Sequence, residues 1–95
     1  MKYKILSSPM KIGSCEIRNR VVMPPMLMGF GSFDGKPTEK MMDYYEERAK
    51  GGAGIVMTEI TRINDNTGSA AFAQLAVSHD YHIEGMRKLA DRIHK

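Results

Sequence analysis

Two apolar runs that do not alternate, Val21-Val22-Met23 and Ala53 through Ile60, constrain this chain more than any other feature. A strand with one wet face alternates apolar and polar residues, so a continuous run predicts a strand buried on both faces, as in parallel sheets. The runs lie roughly 33 positions apart, room for the long crossover that parallel strands require. An amphipathic stretch fills that gap. Met41, Met42, Tyr45 and Ala49 share one face at 3–4 spacing, while Lys40, Asp43, Glu47 and Lys50 share another. Thr38 is placed to cap this helix, Glu39 suits its first turn, and Gly51-Gly52 ends it.

The remaining segments fit the same plan. Residues 10 to 20 read as a small hairpin with Gly13-Ser14 at the turn. Pro24-Pro25 stops the first strand, because proline cannot donate to a ladder. Residues 29 to 37 are dense in turn residues. Residues 61 to 77 hold the turn cluster Asn64-Asp65-Asn66-Thr67-Gly68 and a small, apolar stretch without a clear period. A second helix follows, capped by Ser78 or Asp80, with Ile83, Met86, Leu89, Ala90 and Ile93 on its apolar side. Glu84 with Lys88, and Asp91 with Lys95, form i,i+4 pairs on its outer side. Hairpin, strand, helix, strand, helix is the order of an α/β fold with a parallel sheet. Two βα units cannot close a barrel, so the expectation is a fragment, or a subunit that needs a partner.

Composition excludes several functions. The 95 residues fit one domain at most. No apolar run approaches the ~20 residues that span a bilayer, and two N-terminal lysines without a long apolar core do not make a secretory signal. The single Cys15 excludes an internal disulfide framework and a Cys-rich zinc site, which suits a reducing cytoplasm. Net charge is +3, with acids and bases interleaved rather than gathered on one face, so nucleic acid is not an expected partner. Gly29-x-Gly31 lacks the rest of a dinucleotide fingerprint. His79 and His82 lack the further ligands of a metal shell, and a surface or capping role suits them better.

Two places invite chemistry. Glu59 ends the second buried strand, where parallel α/β folds collect their functional groups. It reads either as a general acid/base or as a carboxylate bonded to nearby backbone. Pro24-Pro25-Met26-Leu27-Met28 occupies the equivalent end of the first strand. That segment is either a proline stop with core methionines or a rigid backbone facing a ligand.

Four segments in order carry a resemblance: Lys11-Ile12-Gly13; Arg18-Asn19-Arg20-Val21-Val22-Met23-Pro24-Pro25-Met26; Asp34-Gly35-Lys36-Pro37-Thr38; and Tyr44-Tyr45-Glu46-Glu47-Arg48-Ala49-Lys50-Gly51-Gly52-Ala53-Gly54. Together they resemble the N-terminal portion of the old yellow enzyme family, and residues 78 to 95 are similar to that family's second barrel helix. The Tyr44–Gly52 segment argues against another flavin barrel of the dihydroorotate dehydrogenase type.

The resemblance implies that residues 1–95 form the first two βα units, with an N-terminal β-hairpin, of a (β/α)8 TIM barrel. It implies FMN as cofactor, NAD(P)H as reductant and an activated enone or enoate as substrate. An iron–sulfur cluster and FAD would join only in a longer, dienoyl-CoA-reductase-like parent. The implied flavin contacts are Pro24, Pro25, Met26 and Leu27 after the first strand and Ile60 after the second. The catalytic side chains of such enzymes come from later strands, so no catalytic residue is expected here. Leu27 departs from relatives that place Thr, Cys or His at the flavin edge, and Gly29 stands where some carry a substrate-binding Tyr. The competing expectation is a non-catalytic remnant that assembles with another chain.

Overall fold

The computed structural model describes residues 3–65 and 74–94. Strands β1 (Met10–Ile12) and β2 (Cys15–Ile17) form the antiparallel hairpin, with Gly13 in the left-handed region at its turn. Strand β3 (Val22–Met23) leads through helix α1 (Glu39–Lys50) to strand β4 (Ile55–Val56). β3 and β4 pair in parallel with Val22 opposite Ile55 and Met23 opposite Val56. Strand β5 (Thr61–Arg62) pairs in parallel with β6 (Leu75–Ala76), and helix α2 (Ile83–His94) follows a 3-10 turn at Asp80–His82.

α1 forms as its caps require. The Thr38 hydroxyl accepts the Met41 N–H at 3.2 Å and donates to the Phe30 carbonyl at 2.5 Å, so one side chain starts the helix and ties down the preceding loop. The helix leaves through Gly51 in the right-handed region, and the left-handed conformation falls on Gly52 (φ +119°). Its face of Met41, Met42 and Tyr45 packs with Leu75 and Leu89 as the core, and Ala49 is buried on the same face. Full burial of each such large side chain contributes roughly 1.5–3 kcal/mol.

Five expectations need correction. The apolar runs are not buried strands in this chain. Val22 is exposed and Met23, Ile55 and Val56 are half-buried, because among the described residues β3 and β4 pair only with each other. The second run is also shorter as a strand, covering Ile55–Val56 rather than 53 to 60. The start of α2 is set by neither Ser78 nor Asp80. His79 is extended there, and its backbone N–H donates to Nδ1 of His82 at 3.2 Å. Ile83, placed on the apolar side, is exposed where the 3-10 turn enters the helix, while Leu89 is buried and Met86 and Ile93 pack against the core. Glu84 pairs with Arg87 rather than Lys88. The Asp91–Lys95 pair and the end of the turn cluster at Asn66-Thr67-Gly68 lie outside the described residues. Among the described residues, no helix is long and apolar enough to cross a membrane.

Close approach fixes how the loops dock. The carbonyl of Gly35 (φ +91°) accepts the Ala76 N–H at 2.9 Å, and a Cβ on Gly35 would stand 2.5 Å from Ala76 Cβ. Gly85 admits Pro37 against α2, where a Cβ would lie 2.9 Å from Pro37 Cδ. Arg92 of α2 reaches across to Glu46 (2.6 Å), Glu39 (3.0 Å) and Asp43 on α1.

Candidate functional site at the ends of two parallel strands

Because β3 and β4 run parallel, the residues that leave them emerge at the same edge. The last rung between them is the Met57 N–H donating to the Met23 carbonyl at 3.2 Å. Beyond it, Pro24, Pro25, Met26 and Leu27 form an exposed extended ribbon after β3, and Ile60 is exposed after Glu59 on the β4 side. Met26, Leu27 and Ile60 are each about half accessible, at 47%, 48% and 49%. The backbone N–H groups of Met26 and Leu27 have no acceptor among the described residues. The edge therefore offers apolar side chains beside backbone donors that have no acceptor among the described residues.

Glu59 lies under this edge and is 2% exposed. Its Oε2 accepts the Met28 N–H at 2.7 Å, so it takes the backbone-bonded reading of the two open from sequence. Its own N–H donates to the Tyr45 hydroxyl of α1 at 2.8 Å. Its Oε1 is buried and has no partner among the described residues. Burial raises the Tyr45 phenol above its ordinary value, and the bond from the Glu59 amide partly opposes this. The sequence placed Tyr45 on a core face but gave no role to its hydroxyl. The signal was present, since a buried phenol needs a polar partner.

The loop before α1 is held by its own polar groups. The Ser32 hydroxyl donates to Asp34, holding that carboxyl below its ordinary value, and the backbone and ammonium of Lys36 add to the effect. Gly29 sits at φ +72°, a conformation in which a tyrosine would be strained. His82 is buried and donates from Nε2 to the Asp34 carbonyl at 2.6 Å, with Nδ1 accepting from His79. The pattern defines the Nε2–H tautomer. The capping part of the expectation for this histidine holds and the surface part does not.

Asp65, after β5, gathers Arg62 Nε (2.9 Å), Ser78 Oγ (2.8 Å) and His79 Nε2 (2.7 Å). These bonds, Arg62 first, hold its carboxyl well below the usual carboxylate range. Sequence reading saw Asp65 only as a turn residue, because its partners lie on both sides of a long connection.

Parallel strands backed by α1 and α2, with an exposed ribbon at their C-terminal edge, define a segment of an α/β barrel protein. The chain belongs to the NADH:flavin oxidoreductase / NADH oxidase family, which it matches over residues 5–95. It is 36% identical over 89 residues to a NADH oxidase of Thermoanaerobacter brockii, covering 94% of this chain and 14% of that protein. It is 40% identical over 75 residues to a cinnamate reductase of Clostridium sporogenes, covering 78% of this chain and 11% of that protein. The old yellow enzyme from Trypanosoma cruzi superposes with a TM-score of 0.86 at 31% identity, covering 99% of this chain and 25% of that one. A 2-naphthoyl-CoA reductase superposes at 0.90 with 30% identity, over 96% of this chain and 14% of that one. The chain thus spans a quarter or less of these relatives, and its fold is that of a portion of the old yellow enzyme barrel.

Proposed function

We propose that residues 1–95 form one side of the flavin pocket in an FMN-dependent NAD(P)H oxidoreductase of the ene-reductase type. The carrying observation is the shared edge of β3 and β4, where Pro24–Leu27 and Ile60 lie exposed. This edge fits a flat, mostly apolar ring with polar rims: Met26, Leu27 and Ile60 supply apolar contact, and the backbone N–H groups of Met26 and Leu27 supply donors. Bound there, FMN would supply hydride transfer between NAD(P)H and an activated C=C bond of an enone or enoate. Pro24 and Pro25 limit the ribbon's backbone freedom, so its donors are ordered before a ligand arrives. Leu27 offers no side-chain hydrogen bond at its position.

The catalytic side chains and the phosphate site belong to the remainder of the barrel, which the 95 residues need as a partner. The reductase and oxidase names of the relatives support the redox class, and the cinnamate reductase supports an unsaturated acid-type substrate. Relatives of which the chain covers 14% or less leave length for further domains, where an iron–sulfur cluster and FAD would reside in a dienoyl-CoA-reductase-like parent. A cytoplasmic location suits the lone Cys15 and this chemistry.

The test is the whole protein that contains this chain. Purified, it is expected to show flavin absorbance and to oxidise NADH or NADPH when 2-cyclohexenone is added. A colourless protein that takes up no added FMN overturns the reading.

A further inference from the structure

Glu59 is the described charged side chain buried beside the ribbon, and its contacts run in two directions. Below, its N–H is pinned by the Tyr45 hydroxyl at 2.8 Å, and Tyr45 is 1% exposed in the core face of α1. Above, its carboxylate Oε2 takes the Met28 N–H at 2.7 Å, one residue past the exposed ribbon. Ile60 is its immediate neighbour in the chain. One residue therefore ties the helix core, the ribbon after β3 and the contact after β4 into one rigid unit.

We propose that Glu59 is a positioning residue that sets the height of the Pro24–Leu27 ribbon relative to Ile60, acting through Met28 and touching no ligand itself. This rests on the flavin-pocket reading above. The physical case is that the ribbon has no ladder of its own: beyond Met23 no strand pairs with it among the described residues, and its prolines donate nothing. A backbone donor fixed by a buried side-chain oxygen is a firm hold, since water cannot reach in to compete for it. Ligand sites lose affinity steeply when such supports shift by a fraction of an ångström to an ångström. Reach decides this role. The Met28 bond needs the full length of the glutamate side chain, whatever its charge.

Two substitutions separate reach from charge. Glu59→Gln keeps the length and an accepting oxygen, whereas Glu59→Asp keeps the charge and withdraws the oxygen by one methylene. In the whole protein freed of flavin, amide hydrogen exchange at Met28 is expected to be slow in wild type and in the Gln variant. It should be about tenfold faster in the Asp variant, the worth of one hydrogen bond. FMN affinity and the flavin visible spectrum should follow the same order, with Asp impaired and Gln near wild type. Equal exchange at Met28 in all three proteins overturns the proposal. So does faster exchange in the Asp variant with unchanged FMN affinity and spectrum. Loss of turnover in Gln alone, with affinity intact, would make Glu59 an acid or base instead. Should either variant not fold, an unprotected Met28 amide in wild type overturns the contact on its own. Wild-type protein that takes no FMN fails the flavin-pocket reading, a result seen separately from the exchange of Met28.

Discussion

Asn19 Oδ1 occupies the space that a side chain at residue 54 would need: a Cβ built on Gly54 stands 2.4 Å from it and 2.9 Å from the Asn19 carbonyl. Asn19 is held there by donating to the Gly52 carbonyl at 2.6 Å and accepting the Val21 N–H at 2.9 Å. The entry of β3 and the exit of α1 are thus interlocked.

Gly54→Ala is therefore expected to destabilise the fold by about 1–3 kcal/mol, because backbone as well as side chain must move. Denaturant midpoints of the whole protein check this. An unchanged midpoint means that the Asn19 clamp yields freely.

Arg92→Met is expected to lower stability, and to do so more at low salt than at ~1 M, where exposed charges are screened. The hydrogen bonds from Arg92 first, then Lys50, hold the Glu46 carboxyl below its ordinary value of 4.5. A depressed carboxyl stabilises the fold above its ordinary value, and that contribution disappears as pH falls through the lower native value. The wild type should therefore lose thermal stability faster than Arg92→Met as pH drops below about 4.5. Parallel curves would show that the α1–α2 bridge carries no net stabilisation.

Asp65→Asn removes the charge that Arg62, Ser78 and His79 converge on. The Val77 N–H, which donates to the Arg62 carbonyl at 2.9 Å, should then exchange faster, while amides of α1 stay protected. Exchange that rises uniformly in both places would indicate global rather than local loosening.

Leu27→Thr and Leu27→Cys, in the whole protein, are expected to shift the flavin reduction potential by adding a polar group at the ribbon. Potential and visible spectrum unchanged in both variants would place residue 27 away from the ring.

The 95-residue chain alone is expected to bind FMN far more weakly than the whole protein and to reduce no enone. Its strand ends offer one side of a pocket and mainly backbone groups. Missing charge-assisted bonds to the phosphate, at roughly 1.5–3 kcal/mol each, raise the dissociation constant by orders of magnitude. Equilibrium dialysis with FMN and an NADPH assay on 2-cyclohexenone measure both halves. Micromolar binding with turnover would contradict the expectation.

What could be read in the sequence follows the range of the interactions involved. α1 was legible from Thr38 to Gly52, because its cap, its Met41–Ala49 face and its glycine stop are all local signals. So was the hairpin around Gly13. The β5–β6 pair was not, since two-residue strands such as Thr61–Arg62 and Leu75–Ala76 show no period. The bonds that His82 and Arg92 make to distant segments were missed for another reason. Their partners, the Asp34 carbonyl and the acids of α1, lie 46 to 53 residues away, and nothing local marks them. Of the ribbon, the prolines showed where the strand stops. The hold of Glu59 on Met28 needed the fold.

The pairing of Val22 with Ile55 also imposes a timetable on synthesis. Those two positions are 33 residues apart, so at ~5–20 residues per second the first strand waits about 2–7 s for its neighbour to be made. The hairpin at Gly13 can close in microseconds once it has emerged. During the interval the nascent Val21–Met28 segment presents apolar side chains and an open edge to the cell. That window, more than the finished protein, is where chaperone capture or strand-to-strand aggregation would compete with folding.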